Sequence, residues 1–269
     1  MKTVLTIAGS DSGGGAGIQA DIKTISALGC YASSAITAIT VQNTLGVSAV
    51  HPVDASVVEA QIEAVLSDIG ADAVKIGMLC NASIVNAVAR QLRAFHPAAV
   101  VLDPVMVSTS GHPLLAPEAV EALVSRLFPL LTVITPNIPE AELLLGDCHI
   151  TQSDMLPLVA RELSVRYGPS VLLKVGHMEG ADMTDYFYDA TTEMITPLPA
   201  TRVDTRNTHG TGCTMSSAFA AMMAKGATLT EAAKGAKAYI NDAIVSGARY
   251  KIGQGIGPVD HFFHNNKTK

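Results

Sequence analysis

Thr3-Val-Leu-Thr-Ile-Ala8 is followed at once by Gly9-Ser-Asp-Ser-Gly-Gly-Gly-Ala-Gly17, and then by Ile18 to Leu28, where apolar residues recur at helical spacing. A short β-branched run bounded by glycine reads as a strand buried on both faces, so the order strand, glycine loop, helix opens a βα unit. The rhythm continues. Ala73 to Ile76, Ala99 to Leu102, Thr132 to Ile134 and Val171 to Lys174 read as further buried strands. Ser56 to Ile69, Ala82 to Phe95, Pro117 to Leu127, Ser153 to Tyr167, Thr214 to Ala224 and Thr230 to Tyr250 read as helices. This alternation predicts an α/β fold, a three-layer sandwich with a central, mainly parallel sheet and helices on both faces. Two segments break it: Tyr31 to Gln42 alternates in part, and Thr184 to Pro197 reads as a hairpin that forms a small antiparallel edge.

The 269 residues are 48% hydrophobic, enough for one large core, and no linker, repeat or low-complexity tract divides them. A single domain over 1–269 is expected, with a frayed polar tail from His264 to Lys269. The net charge of −6 comes without a basic stripe, which argues against nucleic acid as a partner. The apolar run before Asp11 is too short for a signal-peptide core and no later run approaches membrane-spanning length, so a cytoplasmic location without membrane attachment is expected. Cys30, Cys80, Cys148 and Cys213 form no C-x-x-C pair, which signals neither zinc nor a redox motif and predicts free thiols.

Ligands of open α/β sheets gather at the carboxyl ends of strands, and five polar segments fall there. The glycine loop Gly9–Gly17 is one; it lacks the Lys of a phosphate-binding P-loop and has no register for G-x-G-x-x-G, so it reads either as a close-approach substrate loop or as a flexible turn. Thr208-His-Gly-Thr-Gly-Cys-Thr214 opens a long apolar helix and suits an anion through its free N–H groups and dipole, although plain capping would produce the same pattern. Asp103-Pro-Val105 offers a carboxylate for Mg²⁺. Asn137 and Glu140 in Thr135-Pro-Asn-Ile-Pro-Glu140 have capping-box spacing beside any ligand role. Lys174 ends a buried strand, where an ATP phosphate is a natural counter-anion. Phosphoryl transfer needs an anion-binding helix start, magnesium-linked carboxylates, a lysine and a base, and each role has a candidate.

These segments, together with Ala8–Asp21, Val41-Gln-Asn-Thr44, Lys75-Ile-Gly-Met78, Asp103-Pro-Val-Met-Val107 and His209-Gly-Thr-Gly-Cys213, make the chain resemble, over nearly its whole length, the hydroxymethylpyrimidine/phosphomethylpyrimidine kinases of the ribokinase-like superfamily. The resemblance implies transfer of the ATP γ-phosphate, use of Mg²⁺, and a homodimer. It implies that Gly9, Asp21, Gln42, Met78 and Val105 surround a pyrimidine substrate, that Lys174, Thr208, Thr211, Gly212 and Asn137 meet the nucleotide, that Asp103 and Glu140 serve the metal, and that Gly210, Thr211, Gly212 and Cys213 form the catalytic helix start. Asp21 also reads as a solvated helix residue, and Met78 and Val105 as ordinary core. The expected substrates are 4-amino-5-hydroxymethyl-2-methylpyrimidine and its monophosphate, whose phosphate finds room along Ser10 to Gly15. Pyridoxal is the rival acceptor, and a catalytically inactive pyrimidine or nucleotide sensor the rival outside enzymes. An amide at Gln42 matches an aminopyrimidine edge and favours the thiamin branch. Many superfamily members have Asp at the position of Cys213, whose thiol is expected to be drawn toward neutrality by the helix start and to act as the base. Val175 and Thr109 to His112 depart from the family's K-G-G-H and S-G-D patterns.

Overall fold

The computed structural model describes residues 1–106, 115–146, 148–176 and 183–268; Thr109 to His112 lie outside them. Nine strands form one sheet in the order β3-β2-β1-β4-β5-β6-β7-β8-β9. They are β1 (Thr3–Asp11), β2 (Tyr31–Asn43), β3 (Gly46–Pro52), β4 (Ala73–Ile76), β5 (Val100–Leu102), β6 (Val133–Ile134), β7 (Ser170–Leu173), β8 (Asp185–Asp189) and β9 (Met194–Leu198). Strands β2, β1, β4, β5, β6 and β7 pair in parallel. β8 and β9 make the expected antiparallel edge, and β3 adds a second one on β2 that the sequence reading does not contain. β4, β5, β6 and β7 are buried along their whole length, as strands covered on both faces must be.

Helices α1 (Gly17–Ala27), α2 (Ala55–Asp68), α3 (Ala82–Phe95), α4 (Pro117–Ala122), α5 (Ile138–Leu145), α6 (Leu156–Tyr167), α7 (Thr211–Ala224) and α8 (Leu229–Gly247) divide between the faces. Two apolar cores result. One packs Leu5, Ile7 and Ile76 against α2, α3, α5 and α6. The other packs Val4, Val101, Val133 and Leu172 against Ile25 of α1, Phe219 of α7 and Tyr239 of α8. The helix expected over Pro117 to Leu127 is α-helical only to Ala122 and continues as a π turn over Leu123–Leu127. No helix among the described residues is long and apolar enough to cross a membrane.

The chain turns from β1 toward β2 on one side and β4 on the other, so a topological switch point lies between β1 and β4, where such sheets open a crevice at their carboxyl ends. β1 runs on past Ala8 to Asp11, with an irregularity in register between Ala8 and Ser10, and carries the start of the glycine loop into that crevice.

Candidate active site

The glycine loop is organised by Asp11. Its carboxylate accepts hydrogen bonds from the backbone N–H groups of Gly13 (2.7 Å), Gly15 (3.0 Å) and Ala16 (2.8 Å), while Gly14 N–H bonds the Asp11 carbonyl at 2.9 Å. Four successive N–H groups therefore wrap this chain's own aspartate, a nest for an internal anion. That corrects the expectation of open anion space along Ser10 to Gly15: these donors are already engaged. His209 Nε2 adds a contact to Asp11 Oδ2 at 2.9 Å. Burial alone would raise the Asp11 carboxyl, but the bonds from His209, Ala16 and Gly13 outweigh it and hold it below its ordinary value.

This pairing ties the glycine loop to the start of α7. Gly210 caps α7 with φ +82°, and a Cβ there would overlap the Gly15 carbonyl oxygen, so only glycine fits. No side chain caps the helix. Capping by Thr211 and Gly212 is thus not the role of this motif, and the first turn keeps N–H groups without a side-chain acceptor, as an anion site does. A Cβ on Gly212 would sit 3.1 Å from Asp103 Oδ2 and 3.2 Å from Lys174 Nζ, which brings three of the predicted residues to one point. Thr211 N–H reaches the Thr208 carbonyl at 3.4 Å.

Asp103, just past β5, accepts from Lys174 Nζ at 2.6 Å and Thr135 Oγ1 at 3.0 Å. Asn137 and Glu140 form the full capping box of α5, with Asn137 N–H to Glu140 Oε2 and Glu140 N–H to Asn137 Oδ1 each 2.9 Å. The capping role of that pair is realised, and it also anchors Glu140 in the cluster. Burial pushes the Glu140 carboxyl up to about 7, with Asp103 adding to the rise and Lys174 opposing it. Burial by itself would lower the Lys174 ammonium, yet Asp103 and Glu140 hold it above its ordinary value. Among the described residues no three His, Cys, Asp or Glu side chains group to hold a metal. Two neighbouring carboxylates at an uncapped helix start fit Mg²⁺, which binds through one or two carboxylates plus phosphate oxygens and water.

Two expectations meet a different arrangement. Asp21 is fully buried, neither solvated nor lining the crevice: its carboxylate takes Lys75 Nζ at 2.8 and 2.9 Å, Thr6 Oγ1 at 2.6 Å and Ser217 Oγ at 2.7 Å. A ligand could reach it only by displacing that ion pair. Cys213 feels the charge of Lys75, but its thiol is not drawn toward neutrality. Burial pushes it up to about 11, Asp21 and Asp103 add to the rise, and the pull of Lys75 and the Gly17 N–H is insufficient. The resting group is a thiol.

Gly9 and Met78 do adjoin, since a Cβ on Gly9 would meet Met78 Cε at 2.6 Å. Met78 and Val105 are half-buried rather than core. Gln42 stands beside His209, its amide nitrogen 3.3 Å from Nε2, and its amide oxygen is 3.0 Å from Thr40 Oγ1. Sequence reasoning gave no role to Asp11, Thr40 or Lys75, or to the loop Gly253-Gln-Gly-Ile-Gly-Pro258. Gln254 and Gly255 N–H groups meet Thr44 Oγ1 at 3.2 Å, and the Gly257 carbonyl accepts from His209 N–H at 3.0 Å, so this loop closes the wall between β2 and α7. Its alternating glycines were the available signal.

The uncapped start of α7, packed through Gly210 against Gly15 of the glycine loop and lying beside Asp103 and Lys174 at the carboxyl ends of the parallel strands, defines the class: a ribokinase-like small-molecule kinase. The family model for phosphomethylpyrimidine kinase matches residues 11–260. A hydroxymethylpyrimidine/phosphomethylpyrimidine kinase of Rhizobium meliloti is 53% identical, covering 96% of this chain and 96% of its own. Among solved structures, phosphomethylpyrimidine kinase from Clostridium difficile matches at TM-score 0.80 and 44% identity over 91% of this chain and 100% of its own. The ADP complex of Bacillus subtilis pyridoxal kinase matches at TM-score 0.89 and 36% identity over 99% of each chain. The chain belongs to the phosphomethylpyrimidine kinase family.

Proposed function

We propose that this kinase transfers the γ-phosphoryl group of MgATP to the hydroxymethyl oxygen of 4-amino-5-hydroxymethyl-2-methylpyrimidine, and then phosphorylates the monophosphate to the diphosphate. The observation that carries this reading is the juxtaposition of Gln42 and the Gly9–Met78 wall with the uncapped start of α7. An amide beside a crevice matches the donor and acceptor of an aminopyrimidine, and the helix start receives the phosphoryl charge.

In this reading the first N–H groups of α7, with Thr208, Thr211 and Gly212, hold the transferred phosphoryl oxygens, and Lys174 and Asn137 contact the nucleotide. Lys174 leaves Asp103 for the nucleotide phosphates, which frees that carboxylate toward the metal side together with Glu140. Mg²⁺ supplies charge neutralisation between the phosphates when bound. The acceptor oxygen attacks phosphorus, the bond to the ADP oxygen breaks, and the acceptor proton passes to Cys213. Because burial keeps Cys213 a thiol in the free protein, its ionisation belongs to the substrate-loaded state. The charge of Lys75 favours that ionisation. Asp21 acts by holding Lys75 in place.

Shape alone does not separate this reading from pyridoxal phosphorylation, since the pyridoxal kinase has the higher TM-score; the higher identity to the pyrimidine kinases does. The protein is further proposed to work in the cytoplasm as a single-domain homodimer; the exposed apolar residues Ile39 and Val41 of β2, Leu45 of the turn and Val47 of β3 support the dimer. Incubation with MgATP and, separately, hydroxymethylpyrimidine, its monophosphate and pyridoxal, with products read by mass, tests the assignment. The diphosphate is the expected end product. Monophosphate alone after exhaustive incubation with excess ATP would remove the second transfer, and pyridoxal phosphate as the sole product would overturn the substrate.

A further inference from the structure

Asp11 and Gln42 both address a single atom, His209 Nε2: the carboxylate Oδ2 at 2.9 Å and the amide nitrogen at 3.3 Å. The other end of the amide lies 3.0 Å from Thr40 Oγ1, and Thr40 Oγ1 lies 2.9 Å from the Ser10 carbonyl oxygen. Counting protons along this chain decides its polarity. An ionised carboxylate and a backbone carbonyl only accept. Three backbone N–H groups on its carboxylate keep Asp11 ionised, so His209 Nε2 carries a proton and donates it to Asp11, whatever the charge of the ring. The amide end that faces Nε2 must then be able to accept, and only oxygen can. At the far end, Thr40 has one hydroxyl proton, and the Ser10 carbonyl can use Thr40 only as a donor. Thr40 Oγ1 is left to accept from the amide, so the NH₂ belongs there. A half-turn of the amide about its last side-chain bond exchanges its two near-isosteric ends, keeps both contacts and satisfies every group.

We propose that Asp11, His209 and Thr40 are positioning residues that hold the Gln42 amide with its oxygen toward His209 and its NH₂ toward Thr40, and that this fixed polarity makes Gln42 read a 4-aminopyrimidine edge and reject the 4-oxo edge of the same ring. The inference deepens the proposed function and rests on its placing of the pyrimidine at Gln42. After its two internal contacts the amide retains one N–H and one oxygen lone pair. A 4-aminopyrimidine presents an exocyclic donor beside a ring-nitrogen acceptor; its 4-oxo counterpart presents an acceptor beside a ring N–H donor, the reverse code. An amide free to turn could meet either ring. One locked by a carboxylate through an imidazole meets only one, and a site built to hydrogen-bond one pattern rejects its reversal strongly because buried polar groups are left unpaired. The Gly253–Pro258 loop supports the lock, since Gly257 carbonyl holds His209 N–H.

The experiment compares kcat/KM for 5-hydroxymethyl-2-methylpyrimidines carrying 4-amino or 4-oxo groups, with dissociation constants for both by calorimetry, in the parent, Thr40→Val, His209→Phe and His209→Gln. Thr40→Val is nearly isosteric and removes only the hydroxyl; His209→Phe removes the donor and keeps a ring. The parent is expected to prefer the amino ring by about 10³-fold or more. That preference should fall by about tenfold or more in Thr40→Val and His209→Phe, with part of it restored in His209→Gln, which keeps a donor. A purely structural role would lower turnover of both rings together and leave the ratio intact, and a ratio unchanged within about twofold in both variants overturns the proposal. ¹⁵N NMR of the free protein reads the lock without any substrate: a protonated His209 Nε2 is expected, and an unprotonated one refutes the relay. Absence of binding to either ring in the parent, with Nε2 protonated, would instead refute the substrate assignment while keeping the polarity of the chain.

Discussion

Cys213 sits at a helix start, a setting that ordinarily activates a thiol, and yet its surroundings suppress it, so its reactivity is a sharp test of which effect dominates. Burial, reinforced by Asp21 and Asp103, raises it from 9.0 to about 11. Two units correspond to about a hundredfold less thiolate at any pH below the ordinary value. Free protein treated with iodoacetamide at pH 7.5, with each cysteine followed by peptide mass spectrometry, should therefore alkylate at Cys213 about a hundredfold more slowly than a small-molecule thiol does. Cys80, which burial also lifts to about 11, is an internal comparison without a catalytic role. In the loaded state the same sulfur is to accept the acceptor proton, and removing a general base costs about 10²- to 10⁴-fold in rate. Cys213→Ala is expected to bind pyrimidine and MgATP with ordinary affinity while losing kcat by that factor, and Cys213→Asp to keep part of it. Rapid alkylation of the free protein would refute the argument from burial. A Cys213→Ala enzyme turning over within about threefold of the parent would refute the base role and leave the α7 start as the main catalytic device.

Glu140 gives a pH signature in stability. Its carboxyl rises from 4.5 to about 7 on folding, so the folded protein binds the extra proton and this group's contribution declines as pH climbs through that interval, by up to about 3 kcal/mol. Glu140→Gln keeps the capping geometry without the titration; unfolding midpoints without nucleotide or metal should match the parent at pH 4.5 and exceed it at pH 8, and a constant difference would contradict the assignment. The Lys75–Asp21 pair has both side chains at 0% exposure, so Asp21→Asn, which strands the ammonium, should cost about 3 to 5 kcal/mol in urea unfolding. Asp21→Asn combined with Lys75→Met should recover much of that loss in a double-mutant cycle, and a single variant within about 1 kcal/mol of the parent would show the pair to be unimportant.

The layered α/β architecture was legible because its signals are local. Val100–Leu102 or Ser170–Leu173 is a run of apolar side chains that needs cover on two faces, and Ala82–Phe95 repeats its apolar residues every turn, so each segment declares its own element. The hairpin of β8 and β9 was equally local. β3 was not: Gly46–Pro52 leaves most of its side chains in solvent, and only hydrogen bonding to β2 makes it a strand. The location of the site followed from the same grammar, since Gly9, Asp103, Asn137 and Lys174 come at or just beyond the carboxyl ends of their strands or extend them.

What residue types and spacing determined about this chain is therefore its layers, the edge of the sheet that binds ligands, and the residues that meet there. The tertiary structure alone decided how those residues are charged and which of them face the crevice. Asp21 has the spacing of a helix-surface residue, and becomes a buried counter-ion only because Lys75, 54 positions away, lies beneath it. Cys213 has the local setting of an activated thiol, but desolvation is a sum over everything packed around the sulfur, and it outweighs the helix start. The glycine loop has the look of an open anion site until Asp11, and His209 from 198 residues away, fill it. Propensity and periodicity act between neighbours in sequence, whereas burial and Coulomb interaction act between neighbours in space, and the chemistry of this site is set by the second kind.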